Sequence, residues 1–190
     1  MVATLLLVVL LGVATATDVL WHRVYNWTTY PGILAAWGLN GLGTLLLQAA
    51  WVDRGLLERL GWIGLLSSLL GFLACGSVML VCFVLFNKVG GGDVKLIAML
   101  GALLGPEKGI EAMLWTFVLG GCVGLIVLVW RVGPLRLTAR VLRHLLWSVR
   151  LGWVSPPTEE ERAQLRLPLS LAPNALAAAL IVQFSLVCAL

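Results

Sequence analysis

Six apolar segments dominate this 190-residue sequence and constrain its fold more than any other feature. Most of them approach the roughly 20 residues that cross a hydrocarbon core as a helix. Only 12% of the residues are charged, whereas ordinary soluble domains carry about a quarter. The pattern therefore predicts an all-α membrane protein, a single-domain bundle of six transmembrane helices over residues 1–190. The segments cover residues 2–17, 31–50, 61–86, 94–105, 110–130 and 169–190.

The fourth segment is clearly shorter than the others. Its sequence, "VKLIAMLGALLG", corresponds to about 18 Å of helix at about 1.5 Å per residue. Such a segment is either a re-entrant half-span or a helix that its flanks extend inside a bundle. Gly101 and Gly105 form a small-xxx-small pair, which lets neighbouring helices approach closely, and Pro106 is expected to end the segment.

The start of the chain has two interpretations. "MVATLLLVVLLGVATAT" ends in small residues, as a secretory signal does, but it lacks a basic n-region. We therefore expect a retained first span. Cleavage is the alternative, and it would leave Asp18 at the new terminus.

Cysteine and histidine give no sign of a metal site or another cofactor. The four cysteines all fall inside apolar segments and form no CxxC pair, so we interpret them as small buried apolar residues. His22 and His144 lie at the predicted inner interface without a set of metal ligands around them. We expect no metal and no cofactor.

Basic residues predict the orientation of the chain. With the N-terminus outside, the inner loops hold ten of the 13 Lys and Arg residues and the outer loops hold three. Inner loops are enriched in positive charge, so the sequence predicts a multi-pass protein of the cytoplasmic (inner) membrane. The net charge of +4 then reflects orientation, and no nucleic acid partner is expected.

The long inner loop, residues 131–168, carries a second basic pattern. Arg136, Arg140, Arg143 and Arg150 recur at helical spacing opposite an apolar stripe. This predicts an amphipathic helix lying on the anionic inner surface of the membrane. Substrate docking is the alternative role for that helix.

Two aspartates at the ends of apolar segments are the candidate functional residues. Asp18 closes the first segment, and Asp93 follows three glycines, Gly90 to Gly92, at the start of the fourth. A charge near a span is costly, and the glycines allow close approach and unusual backbone angles. In the predicted topology both aspartates lie at the inner face. Each taken alone also fits a structural role, hydrated at the interface or capping a helix.

As a pair, the two aspartates suggest acid–base chemistry. Two carboxylates that share a water cannot both ionise readily, so the pair holds one proton near neutral pH. The charged member takes a proton from the water while the protonated member polarises a peptide carbonyl. This is the chemistry of an aspartic peptidase, which uses neither a metal nor a covalent intermediate.

These motifs resemble those of the type IV prepilin peptidases. "GGGDVKL" matches their GxGD motif together with the VKL that commonly follows, and "DVLWHRVYNWTTYPG" is similar to their other aspartate motif. In the second motif Tyr25 stands where the family usually has proline. "RLPLSLAPNALAAAL" resembles the final span of the family, so the resemblance covers the whole chain.

The resemblance implies an intramembrane aspartic endopeptidase that removes the basic leader of prepilin or pseudopilin precursors at the cytosolic face of the lipid bilayer. Asp18 and Asp93 would be the catalytic pair, and Gly90 and Gly92 would shape the approach of Asp93. Lys95 would tune the pair or anchor the inner face. Asn26 would fix the turn after the first span, with substrate contact as an alternative.

The absence of paired CxxC motifs favours one form of the family. Larger members carry a cytosolic extension, often with such motifs, that is associated with N-methylation of the trimmed pilin. This sequence resembles the minimal peptidase-only form found with tight-adherence (Flp) pili and in archaea. We therefore expect no methyltransferase domain.

Three other classes of protein are alternatives to this interpretation. Presenilin-like peptidases also use a GxGD aspartate, but their first aspartate lies within a longer span beside a tyrosine. A proton-coupled transporter would carry acidic residues near mid-span and an internal repeat, and neither is visible in the sequence. A non-catalytic pilus or secretion assembly protein could keep the same fold, although an intact aspartate pair argues against it.

Overall fold

The computed structural model describes residues 2–21, 25–50, 52–86, 90–133 and 170–184. Within these ranges all regular structure is helical, which confirms the predicted all-α class. The predicted amphipathic helix lies outside the described residues. The helices are α1 (Val2–Trp21), α2 (Asn26–Gln48), α3 (Arg54–Leu60), α4 (Leu65–Leu85), α5 (Gly91–Val132) and α6 (Ala172–Gln183).

Three of the described helices are long and apolar enough to cross a membrane: α1, α4 and the part of α5 from Gly91 to Trp130. α6 is apolar but has only 12 residues within the described range. Large apolar side chains cover much of the exposed surface, for example Leu5 and Leu66. Such a surface requires a lipid environment, so the chain is a membrane protein. The full count of six spans stays a prediction.

The chain divides into two compact units, residues 1–118 with 170–190, and residues 119–169. The first unit contains both aspartates and most of the described helices. In the second unit, the described residues continue α5 as far as Val132.

α5 is sharply bent at Gly105, which has φ 82° and ψ −179°, outside the helical region. A Cβ placed on Gly109 would lie 2.9 Å from the Cα of Gly101, although residues eight apart in a straight helix are separated by about 12 Å. α5 therefore folds back on itself. Pro106 follows the bend at the start of a new helical turn, where proline is well tolerated. The predicted fourth and fifth segments are thus two helical stretches of α5 that meet at Gly105 without a loop between them.

The first half of α5, residues 91–104, forms the centre of the fold. Every residue from 96 to 104 is buried, and Leu96, Ile97 and Leu100 are completely inaccessible. A helix that is apolar and buried on all faces needs neighbours on all sides. The short segment is therefore a helix enclosed by its neighbours, and the choice between a re-entrant half-span and an extended helix in a bundle stays a prediction.

Small residues allow α4 to cross the first half of α5 at backbone contact. Gly71 of α4 lies directly against Gly101 of α5, so a side chain on either glycine would overlap the backbone of the other. Next to this crossing, the Ser68 hydroxyl donates a hydrogen bond of 2.6 Å to the carbonyl of Ala102. Gly101 was predicted as a close-approach residue, and the structure confirms it.

α6 runs antiparallel to α1 and packs along it. Near one end, the Gln183 side-chain amide donates a hydrogen bond of 2.9 Å to the Thr4 hydroxyl, and at the other end Ala172 contacts Asp18. α1 also packs against α2, which in turn packs against α4. The amino end of α6 is thereby fixed beside the carboxyl end of α1.

Asn40 lies near the end of α2 that is remote from the aspartates, and its hydrogen bonds hold the segment between α3 and α4 in place. Its side chain is 2% exposed; the Oδ1 atom accepts a hydrogen bond of 3.1 Å from the Ile63 amide, and the Nδ2 atom donates one of 2.9 Å to the Ala36 carbonyl. The Trp62 indole donates to the Asn40 carbonyl at 3.1 Å. This is a structural use of a buried polar residue, with each group of its side chain paired.

Candidate functional site

Asp18 lies in the last turn of α1, which extends to Trp21 and therefore beyond the predicted end at residue 17. Its side chain is only 7% exposed. The Ser170 hydroxyl donates a hydrogen bond of 2.5 Å to Asp18 Oδ2, and the Ala172 amide donates one of 3.1 Å to the same oxygen. A carboxylate at this depth needs such donors, because burying an unpaired charge is costly.

The contact between Asp18 and α6 was missed in the sequence. Ser170 is 152 residues away from Asp18, and no local pattern connects them. One signal was present: a serine two residues before an apolar helix with an early proline is typical of a helix start. That signal marks where α6 begins, but it does not say which side chain the helix start will meet.

Asp93 lies in the first turn of α5 and is partly buried. Its backbone amide donates a hydrogen bond of 3.0 Å to the Gly90 carbonyl. A Cβ placed on Gly90 would lie 3.2 Å from Asp93 Oδ2, a tight contact, so glycine at this position leaves room for the carboxyl group.

The other two glycines of the motif behave differently from the prediction. α5 begins at Gly91, so Gly91 and Gly92 belong to its first turn and do not precede it. None of the three glycines has a positive φ, which means that unusual backbone angles do not explain them. A Cβ at Gly91 would meet open space. The structure therefore gives a steric reason for glycine at Gly90, and the role of Gly92 stays a prediction.

The structure brings Asp18 and Asp93 together. The two carboxyl groups lie close enough for the charge of Asp18 to act on Asp93. Three helix ends meet around them: the carboxyl end of α1 and the amino ends of α5 and α6. Helix amino ends carry unpaired amides and partial positive charge, so two of these three ends favour negative charge at the pair.

Lys95 and Asn26 are joined to each other. The Lys95 ammonium donates a hydrogen bond of 2.8 Å to Asn26 Oδ1 and lies 4.9 Å from the centroid of the Tyr30 ring. Asn26 is the first residue of α2. Its side chain therefore connects the start of α2 to the first turns of α5, two residues after Asp93. Neither of the two predicted roles of Lys95 includes this connection.

An apolar groove is lined in part by the two residues that follow Asp93 in sequence. It has a volume of about 340 Å³ and lies between α2, α4 and the first half of α5. Val94 and Lys95, which directly follow Asp93, form one end of its lining, and Gly76 and Ala98 form part of its wall. A Cβ on Gly76 would lie 3.4 Å from the Ala98 side chain, so any larger residue at position 76 would reduce the space.

Acid–base chemistry is what these side chains can supply. In the described ranges, no three His, Cys, Asp or Glu residues cluster as metal ligands would. Two carboxyl groups that interact electrostatically can share one proton and act on a water between them. Fold and site together define a helical membrane protein with a paired-carboxylate centre.

Comparison with known proteins places this chain in a family. The model of the type IV leader peptidase family matches residues 5–125, which is more than half of the chain and includes both aspartates. The chain belongs to the type IV leader peptidase family, and the predicted resemblance is confirmed.

One curated relative is the prepilin leader peptidase/N-methyltransferase of Stutzerimonas stutzeri. It is 28% identical over 127 residues, which cover 58% of this chain and 44% of the relative. The matched part is thus less than half the length of that protein. No solved structure matches the chain.

Proposed function

We propose that this protein is an intramembrane aspartic endopeptidase that removes the basic leader from type IV prepilin-like precursors. One observation carries the proposal: in a chain of the leader peptidase family, Asp18 and Asp93 come from helices far apart in sequence and interact at one place. Packing alone does not favour bringing two carboxyl groups together at a site where one is buried and the other partly buried, because burying charge costs free energy.

The proposed reaction is direct hydrolysis. One aspartate, as carboxylate, removes a proton from a water, and the resulting hydroxide adds to the carbonyl carbon of the scissile peptide. The other aspartate, as carboxylic acid, donates its proton toward the carbonyl oxygen as negative charge develops there. In the resulting diol, the first aspartate gives its newly acquired proton to the leaving nitrogen and the other takes a proton back from one of the two hydroxyl groups. The C–N bond breaks in this step, and the pair again holds one proton.

The apolar groove is the proposed place of the hydrophobic segment that follows the cut. The lining of the groove includes Val94 and Lys95, the two residues that follow Asp93, and it is mostly apolar, which fits an apolar helix. The excess of Lys and Arg in the predicted inner loops supports a site at the cytosolic face of the inner membrane, where a basic leader would remain in water. The proposal does not extend to methyl transfer.

The test is leader removal in cells that co-express the chain with a prepilin, followed by gel shift. Asp18→Asn and Asp93→Asn keep the size of each side chain and should each slow trimming by at least about 10²–10⁴-fold, the range for loss of an acid–base group. Asp53→Asn is the matched control, because Asp53 is exposed and lies outside the site. Trimming at the normal rate by either site variant would refute the paired mechanism.

A further inference from the structure

We infer that a cavity at the end of α1 remote from Asp18 binds the phosphate headgroup of an anionic phospholipid. The cavity has a volume of about 240 Å³. It lies between the beginning of α1, the end of α6, the bend of α5 and the segment between α3 and α4. The inference goes beyond the proposed function, because neither the aspartate pair nor the apolar groove uses any of the residues that line this cavity.

The cavity and the aspartate pair lie at opposite ends of α1. Thr4 lines the cavity near the beginning of α1 and Asp18 lies in its last turn, so roughly 20 Å separates them at about 1.5 Å of rise per residue. α6 covers the same distance, since Ala172 contacts Asp18 and Gln183 bonds to Thr4. A hydrocarbon core is about 30 Å thick. The cavity therefore lies toward the membrane interface opposite the pair, which is the outer one in the predicted topology.

Lys108 gives the cavity a positive charge without a counterion. Its side chain is exposed and lines the cavity, and in the described ranges it forms no ion pair or hydrogen bond. The nearby acidic residues Glu107 and Glu111 are exposed, and neither lines the cavity. On another wall, the Gln183 amide donates one N–H to Thr4 Oγ1 and carries a second N–H. Ammonium and amide groups are both suitable donors to phosphate oxygens.

The position of Lys108 in its helix also favours an anion. The backbone leaves the helical region at Gly105, so a new helix amino end begins after it, and Lys108 lies in the first turn. Helix amino ends carry unpaired amides and partial positive charge, which favours anions and disfavours cations. An anionic ligand is therefore stabilised by the ammonium and by the helix end together, as phosphate groups are at other helix amino ends.

One wall of the cavity is apolar, which indicates that the ligand carries an apolar part. Leu7, Leu103 and Leu104 line the cavity and are all buried. Free phosphate leaves such a wall in contact with water, whereas the glycerol ester region of a phospholipid covers it. A volume of about 240 Å³ is below the roughly 300–1,000 Å³ of sites for drug-sized ligands. The cavity therefore holds a headgroup while the acyl chains stay in the bilayer.

The segment between α3 and α4 forms a fixed wall. The Trp62 indole donates a hydrogen bond of 3.1 Å to the Asn40 carbonyl. Gly61, with φ 91°, packs against the start of α1, where an added Cβ would lie 2.7 Å from the Ala3 Cβ. Because these contacts hold the wall in place, little conformational entropy is lost when a ligand binds there.

The charge of the lining selects among phospholipids. None of the described lining residues is acidic, so they offer no carboxylate to the ammonium group of a zwitterionic headgroup. Lys108 instead complements a headgroup with net negative charge, such as that of phosphatidylglycerol.

The experiment is thermal melting of the delipidated full chain in detergent, with dihexanoyl-phosphatidylglycerol, dihexanoyl-phosphatidylcholine or inorganic phosphate added at equal ionic strength. A ligand that binds the folded state raises Tm as its concentration rises, and phosphatidylglycerol should act at lower concentration than the other two. Lys108→Gln should require about tenfold more phosphatidylglycerol for the same rise, the effect of losing a hydrogen bond to a charged group. Lys108→Arg keeps the charge and should restore the wild-type dependence.

Arg54→Gln is the matched control, because Arg54 is an exposed cation of α3 that does not line the cavity. Basic residues elsewhere also attract anionic lipid, so the difference between Lys108→Gln and Arg54→Gln decides the outcome. The same phosphatidylglycerol dependence in both variants, or equal stabilisation by phosphatidylcholine, would overturn the inference. Equal stabilisation by inorganic phosphate would contradict the assignment to a lipid.

A second measurement locates the bound lipid. Phosphatidylglycerol with a photoreactive diazirine on its acyl chain should label residues 61–63 or the neighbouring Leu104, and Lys108→Gln should reduce that labelling. Labelling confined to other parts of the chain would refute the site. Neither measurement needs a precursor, so failure of the protein to trim any prepilin would overturn the proposed function and leave this result unaffected.

Discussion

The crossing of α4 and α5 gives a stability prediction that can be worked through from the coordinates. In Gly71→Ala, the new Cβ would overlap the carbonyl oxygen of Gly101 and lie 2.7 Å from the carbonyl carbon of Gly105. These are backbone atoms, which cannot rotate away, so the helices must separate. Overpacking of this kind costs about 1–3 kcal/mol, and contact with backbone places the cost near the upper value.

A matched control removes the effect of helix propensity. Gly→Ala in a helix is normally favourable by about 1 kcal/mol, and Gly38 of α2 is exposed with nothing within 4 Å of an added Cβ. The change in the free energy of unfolding of Gly38→Ala therefore measures the gain in helix propensity alone. The change for Gly71→Ala is that gain minus the cost of the steric overlap. The two variants should differ by about 3 kcal/mol, or about 6–12 °C in Tm at the roughly 2–4 °C per kcal/mol expected for this chain length.

The assay is thermal melting of each purified variant in detergent, followed by circular dichroism, together with gel-shift trimming of a prepilin. Because Gly101 and Asp93 lie on the same half of α5, separation of the helices should also displace Asp93 and slow trimming by Gly71→Ala. A melting temperature of Gly71→Ala at or above that of Gly38→Ala would refute the inference that the two backbones are in contact.

Further variants test other parts of the molecule. Lys95→Met removes the bond to Asn26 Oδ1 and should slow trimming about tenfold, the effect of losing a hydrogen bond to a charged group; an unchanged initial rate would show that this bond does not support the site. Gly76→Leu fills the groove and should raise KM for a full precursor while kcat changes little, and an unchanged KM would exclude the groove as the substrate position. Asn40→Leu leaves the Ile63 amide unpaired and should lower the free energy of unfolding by about 1–3 kcal/mol in chemical denaturation, whereas the folded fraction should trim normally.

Much of the fold could be predicted because lipid imposes a strong rule on sequence. A segment that crosses a membrane must be apolar and must pair its own backbone groups, so α1 and α4 are visible as apolar runs. The turn inside α5 was predicted as an end at Pro106, but the tight return at Gly105 depends on contacts of Gly109 with Gly101, which no local pattern encodes. The short helix α3 has too few apolar residues to be predicted from the sequence.

The site was predictable to the extent that its residues carry unusual local chemistry. An aspartate after three glycines stands out from an apolar chain, and so does one at the end of the first apolar run. Ser170 does not, because a serine at a helix start is common and usually structural, and Asn26 was named only through the family resemblance. Their partners, Asp18 and Lys95, are identified only by tertiary packing.

The separation of 152 residues between Ser170 and Asp18 has a consequence for biogenesis. At about 5–20 residues per second, a ribosome needs roughly 8–30 s to make that length of chain. Asp93 is made about halfway through this interval, and from then until Ser170 emerges the last helix has not arrived to contact Asp18. The proposed site would stay incomplete while the earlier helices insert, and docking of α6 would complete it.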